Sequence, residues 1–309
     1  MTSLKSIAVV GASGNLGQAI VPFLIRANFN VTAICRSDST ASFAENINVI
    51  KTEYTLGPLT EFLKGQDVVL CVLDPAALAA EAVVIDAATS AGVKWFIPSE
   101  FGHNTADERV LSSLPLLKGK TDIVTKLESK KASGLNWVGI VTGLFFDWCL
   151  SRDFLGFNIK EKTALIWDEG DTKFHSTNIG DIGMALVNLL SNPGTLEKVK
   201  NTYVYISSFE VTQNEILLEL ERATGTTFQV RRFSSEDMKQ SALKSLAQGD
   251  RSAVGVLLQY VAWGNEGLGH FDKLAQEGNA MLLRSPQESL KSTIKRVVKF
   301  TEESYKAAL

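Results

Sequence analysis

The chain has 309 residues, of which 45% are apolar, 21% charged and 8% aromatic, with 31 basic against 34 acidic side chains and a net charge of −3. That is ordinary globular composition, and at about 150 residues per domain the length suits one large domain or two, with ample chain to bury a core. So even a charge balance argues against a protein that neutralises many nucleic-acid phosphates, and equally against a polybasic membrane anchor.

The N-terminal stretch lacks the apolar core and small-residue cleavage site of a signal peptide, and its apolar run predicts a short buried strand over 5–10. From there β-branched runs alternate with stretches of helical period, the pattern of strand, crossover helix and parallel strand. Further strands are predicted over 30–35, 47–50, 67–73, 93–97 and 136–142, near-continuous apolar runs suited to cover on both faces. Between the first two, Leu16, Ile20, Phe23 and Leu24 recur at helical spacing, and Pro22 is expected to kink or loosen that helix. A helix is expected over 76–91, with Asp74 before Pro75 placed either to cap it or to touch a cofactor.

Past residue 143 the alternation ends in an aromatic-rich segment. A short strand near 163–167, a helix over about 179–191 and a strand over 202–206 that can rejoin the sheet follow, then helices over 212–224, 234–247, 251–263 and 286–308. The fold class is therefore α/β, a Rossmann-type doubly wound parallel sheet with a second, smaller and mostly helical substrate-binding region. Residues 1–158 are read as the NAD(P)-binding domain, with parts of 175–208 returning to it, and 159–309 as the smaller region. Cys35, Cys71 and Cys149, an odd number among apolar neighbours, read as buried thiols in a reducing compartment. With no apolar run long enough to span a membrane, a cytoplasmic protein is expected.

Directly after the first strand comes Gly11-Ala12-Ser13-Gly14-Asn15-Leu16-Gly17, a G-x-x-G-x-x-G loop opening the first helix. Glycines there permit a tight turn and let the backbone amides and the positive end of the helix approach a pyrophosphate. Gly11, Ser13, Gly14, Asn15 and Leu16 are the candidate contacts. At the end of the second strand, where selectivity for NAD calls for a carboxylate, stand Arg36 and Ser37. A guanidinium and a hydroxyl suit a 2′-phosphate, so NADPH is the expected cofactor; Asp38 keeps NAD open, and Arg36 as a solvated surface residue is the bland alternative.

The chemistry must be found separately from the fold. No tyrosine has a lysine four residues on: Tyr54, Tyr203, Tyr205, Tyr260 and Tyr305 are followed at that distance by Pro58, Ser207, Phe209, Gly264 and Leu309. The three histidines, His103, His175 and His270, sit in no metal-ligand spacing, and no G-x-S-x-G elbow is present, so no metal site and no serine hydrolase is expected. What remains is Pro98-Ser99-Glu100-Phe101-Gly102 after the fifth strand, with Lys120 opening the following helix. Ligands of open α/β sheets bind beyond the carboxyl edge, so Pro98 and Ser99, with Leu73 at the end of the fourth strand, are expected to line the cofactor pocket.

These residues resemble the isoflavone reductase-like and NmrA-like proteins, atypical relatives of the short-chain dehydrogenases. The resemblance is carried by V-V-G-A-S-G-N-L-G at 9–17, C-R-S at 35–37, F-I-P-S-E-F-G at 96–102, G-K-T-D-I at 119–123 and T-G-L-F-F-D at 142–147. It implies an NADPH-dependent reductase of secondary metabolism in which Lys120, rather than Lys118 or Lys126, is the general acid or base, with Phe145 beside the nicotinamide. A lysine merely solvated at a helix start is the alternative; there the helix dipole disfavours its positive charge. Plant reductases of the family carry an asparagine two residues before that phenylalanine, where this chain has Gly143.

Phe101, His103, Phe146 and Trp148 are the expected substrate wall, joined by Phe154, Phe157 and Trp167, with Trp263 able to close the site. The same rings can instead pack the joint between the two regions. A small aromatic or conjugated molecule is the expected partner. The competing reading is an NmrA-type sensor that binds NAD(P) without turnover; Lys120 speaks for the enzyme.

Overall fold

The computed structural model describes residues 4–45, 47–284 and 287–308. In chain order the elements are β1 (Ser6–Val10), α1 (Asn15–Arg26), β2 (Asn30–Cys35), β3 (Asn48–Lys51), α2 (Leu56–Leu63), β4 (Val68–Cys71), α3 (Leu78–Ser90), β5 (Trp95–Ile97), α4 (Glu108–Ser113), α5 (Lys118–Lys130) and β6 (Asn136–Val141). There follow β7 (Leu144–Phe145), α6 (Phe146–Leu150), β8 (Phe157–Asn158), β9 (Thr163–Trp167), β10 (Phe174–Thr177), α7 (Ile179–Ser191), α8 (Pro193–Lys198), β11 (Thr202–Tyr205) and β12 (Phe209–Val211). The chain ends with α9 (Gln213–Thr224), β13 (Gln229–Phe233), α10 (Ser235–Ala247), α11 (Ala253–Trp263), α12 (Asp272–Leu282) and α13 (Leu290–Ala308).

Seven strands form one parallel sheet in the order β3-β2-β1-β4-β5-β6-β11. The order reverses beside β1, and in such sheets ligands bind beyond the strand ends at that switch point. Alternation along β1 divides the core: Ile7 and Val9 face one layer with Leu16, Ile20 and Leu24 of α1 and Ile182, Leu186 and Leu189 of α7. Ala8 and Val10 face the other, with Val84 and Ile85 of α3 and Ile123 and Leu127 of α5. Helices thus cover both faces, which is why the strands read as continuous apolar runs.

Helix α1 runs on through Pro22, which lies on its exposed side, where solvent can meet the Gln18 carbonyl that loses its donor. The helix expected over 76–91 begins as a short 3-10 turn, Pro75–Ala77, before α3. Of the last expected helix, residue 286 lies outside the described residues and α13 starts at Leu290.

Two three-stranded sheets, β12-β10-β7 and β13-β9-β8, accompany the remaining helices around a second core of Phe146, Phe157, Trp167, Phe174 and Trp263. The strands β7, β8, β10, β12 and β13 and the helices α2, α4, α6, α8 and α12 escape the sequence reading. Strand β13 (QVRRF) is exposed along its whole length and, among the described residues, pairs only with β9, so no buried alternation marks it. Helix α12 carries Gly278, whose missing side chain lets it press on β11: a Cβ there would lie 1.8 Å from the Tyr205 carbonyl oxygen. All three cysteines are buried and free. No helix among the described residues is long and apolar enough to cross a membrane.

Candidate active site

The site is built at the carboxyl edge of the parallel sheet. Gly11 leaves β1 with φ +86°, and a Cβ on it would lie 2.7 Å from the Val72 carbonyl oxygen; a Cβ on Gly17 would lie 2.6 Å from the Gly11 oxygen. Both positions therefore require glycine, one for the turn and one for close packing of α1 on it. Gly14 stands at the start of α1, which has no side-chain cap, so its first amides have no such acceptor and suit an anion. Ser13 and Asn15 flank that opening, while Leu16 turns into the core.

Arg36 and Ser37 follow β2 at the same edge. Arg36 is exposed and forms an ion pair with Asp38 at 3.6 Å, so the carboxylate that kept NAD open faces the guanidinium. The Ser37 hydroxyl donates to Glu53, an exposed carboxylate just after β3 that sequence reasoning missed. Asp74 is resolved as a cap: its Oδ1 accepts the Ala76 amide at 2.8 Å.

From the glycine loop a series of contacts leads to Lys120. The Gly11 position is packed against Leu73, whose amide donates to Ser99 Oγ at 3.0 Å. The Ser99 amide donates to Glu81 Oε1 at 2.8 Å. The next residue, Glu100, offers its backbone carbonyl to Lys120 Nζ, and its own side chain accepts from Thr105 at 2.7 Å. Lys120 and both glutamates are buried. The other candidate lysines are accounted for: Lys118 is exposed, and Lys126 pairs with Asp86 at 2.7 Å.

Lys120 opens onto a cavity of about 350 Å³ whose wall includes Phe101, His103, Phe145, Trp148, Phe154 and, from α11, Leu258. Five of the expected residues, Phe101, His103, Phe145, Trp148 and Phe154, thus converge with Lys120. Phe146 does not: it is fully buried, edge-on to Phe209 at 4.8 Å, because consecutive residues at the start of α6 point to different sides. Phe157, Trp167 and Trp263 are likewise core; Trp263 packs on Phe174 and Trp167, and Leu258 takes the closing position assigned to it. Rings suited to a flat substrate also suit a core, and only the fold separates the two.

Gly143 explains the missing asparagine. Its φ is +61°, and a Cβ would sit 2.1 Å from the His175 carbonyl oxygen, so β10 leaves no space for a side chain.

Burial governs the charges. It holds His103 down at about 4, with the Lys120 charge acting the same way and a hydrogen bond to the Leu258 backbone opposing, so the ring is neutral at neutral pH. Burial raises Glu81 to about 7 against the Ser99 donors and Lys120, and raises Glu100 against Lys120 and Thr105. Glu81 and Glu100 were not singled out from the sequence as ionisable groups of the site. Glu81 carries no motif, whereas Glu100 lies within the PSEFG run itself.

A profile of the NmrA-like family matches residues 3–260. The oxidoreductase aprR of Aspergillus flavus is 34% identical over 297 residues, 94% of this chain and 98% of that protein. The isoflavone reductase homolog IRL of Zea mays is 28% identical over 243 residues, 74% of this chain and 77% of its own. A solved structure described as AtPrR2 with NADP+ and (+)pinoresinol has the same fold, with a TM-score of 0.78 at 18% identity over 96% of this chain and 100% of that one.

Proposed function

The chain belongs to the NmrA-like family, and on that premise we propose that it is an NADPH-dependent reductase acting on a small aromatic or conjugated metabolite, with Lys120 as general acid or base. The observation that carries the reading is a buried lysine opening onto a mostly apolar, ring-lined cavity at the carboxyl edge of a dinucleotide-type sheet. Relatives named as oxidoreductases, and a neighbour described with NADP+, support it.

Residues 1–158, with returning segments from 175–208, serve as the cofactor platform, and 159–309 as the substrate region. Gly11, Ser13, Gly14, Asn15 and Leu16 would hold a pyrophosphate; Arg36 and Ser37 a 2′-phosphate; Leu73, Pro98, Ser99, Lys120 and Phe145 the nicotinamide end. NADPH, when bound, supplies the hydride. Lys120 supplies a proton to the substrate atom next to the carbon being reduced, so that one hydride and one proton complete a two-electron reduction. Phe101, Phe145 and Trp148 orient a flat apolar molecule and exclude water; neutral His103 offers a polar contact without adding charge. Buried free thiols suit the cytoplasm, and the resemblance suits secondary metabolism.

The test follows NADPH oxidation with flavonoid, lignan-like, quinone and ketone substrates, in wild type and Lys120→Ala. The variant should lose about 10²-fold or more in turnover and keep its affinity for NADPH. Tight cofactor binding with no turnover of any substrate would replace the enzyme by a dinucleotide sensor.

A further inference from the structure

We infer that Glu81 is a positioning residue of this site: it clamps the chain segments carrying Leu73 and Ser99 and sets the charge environment of Lys120. The second half of the inference rests on the role proposed for Lys120. Glu81 lies in the first turn of α3, wholly buried. Its Oε1 accepts the Ser99 amide, and Ser99 Oγ accepts the Leu73 amide, so one carboxyl group ties the tails of β4 and β5 through a single serine. These two tails border the glycine loop and the Lys120 cavity.

A clamp needs only one acceptor oxygen, which a glutamine would supply. Glu81 has a second, Oε2, buried without a hydrogen-bond partner. A bare buried carboxylate oxygen is costly, and protonation removes that cost. The ionisable groups facing Glu81 come from three elements: Lys120 from α5, Glu100 from the segment after β5, and the Cys71 thiol from β4. Burial, the largest influence, and Glu100 favour the neutral acid; the Ser99 donors and then Lys120 favour the ionised carboxylate. The balance falls at about 7, where Glu81 changes by one the number of negative charges around Lys120. Glu81 passes no proton to the substrate; it acts on Lys120 through its field and on the cofactor end of the site through Ser99.

Infrared difference spectra of the full chain without added nucleotide, wild type against Glu81→Gln, recorded between about pH 5 and 9, test this directly. A protonated-carboxyl band should be present in wild type, vanish with a midpoint near 7 and be missing from the variant. Lys120→Met should move that midpoint up by about one unit, through loss of the neighbouring cation. In turnover, Glu81→Gln should keep the Kd for NADPH within about twofold, because the acceptor remains, yet lose a kcat limb near neutral pH. Glu81→Ala, lacking the acceptor, should bind NADPH about tenfold more weakly. Absence of the band throughout, or superimposable kcat profiles for wild type and Glu81→Gln, would overturn the inference. Undiminished turnover in Lys120→Ala would instead remove the lysine's role and leave the infrared midpoint readable.

Discussion

Replacing Gly143 by alanine tests whether this position is closed to side chains by packing rather than by backbone preference alone. The residue has φ +61°, a left-handed conformation that costs an L-residue about 1–2 kcal/mol. The added Cβ would meet the His175 carbonyl oxygen at 2.1 Å. That oxygen cannot swing aside as a side chain would. It belongs to β10, which pairs with β7 on one side and β12 on the other, while the His175 amide donates to Gly269 at 2.9 Å. Overpacking of this kind adds about 1–3 kcal/mol, for a total of about 2–5 kcal/mol. Gly134→Ala is the matched control, since Gly134 has φ +86° and nothing within 4 Å of its Cβ position, leaving only the backbone cost. At about 2 °C per kcal/mol for a chain of this size, thermal unfolding should fall by about 4–10 °C for Gly143→Ala and about 2–4 °C for Gly134→Ala. Equal shifts in the two variants would refute the packing argument. Because Leu144 and Phe145 border the cavity, Gly143→Ala should also raise the substrate KM, as Gly134→Ala should not.

Two further outcomes follow from the charges. Arg36→Ala should weaken NADPH by about tenfold or more while changing NADH little; equal weakening in fluorescence titrations would remove the 2′-phosphate role. In stability against pH, His103 and Glu81 oppose each other. The unfolded chain protonates His103 near 6.5 and the folded one near 4, so this residue favours folding more as pH rises between those values, at up to about 1.4 kcal/mol per unit. Glu81 takes its proton near 7 when folded and near 4.5 when unfolded, so its contribution is present at low pH and is lost as pH rises through 7. Urea midpoints of Glu81→Gln should therefore fall more steeply than those of wild type on acidification from 6.5 towards 4.5, and parallel curves would contradict the assignment.

The parallel sheet was legible because burial on both faces leaves a one-dimensional trace: runs such as Ile7–Val10 and Val68–Cys71 are apolar throughout. Gly11 and Gly17 were legible for a related reason, since the turn and the close packing each demand a residue type regardless of what lies elsewhere. The smaller sheets leave no such trace. Strand β10 (FHST) is buried although polar, and its Ser176 and Thr177 hydroxyls are satisfied by the carbonyls of Leu144 and Thr142, more than thirty residues away. A polar segment whose partners are that distant reads as loop.

The same distinction divides the site. Lys120 could be singled out because the family resemblance carried by the PSEFG and G-K-T-D-I segments implies it, and the fold then separates it from Lys118 and Lys126 by burial and by Asp86. Glu81 could not, because its side chain owes its importance to Ser99, eighteen residues later in the segment after β5. In sequence it is one acidic residue among alanines and valines in a helix, where a solvated face is the default reading. Fully buried beneath the carboxyl edge, that same acid must either be protonated or find cations and donors, and the groups within reach are those of the site. A buried carboxylate with one oxygen held and one free is thus informative in a way that an apolar cavity wall is not. The wall could pack any ring, whereas an ionisable group kept out of water calls for a specific partner, and here the cation acting on it is Lys120.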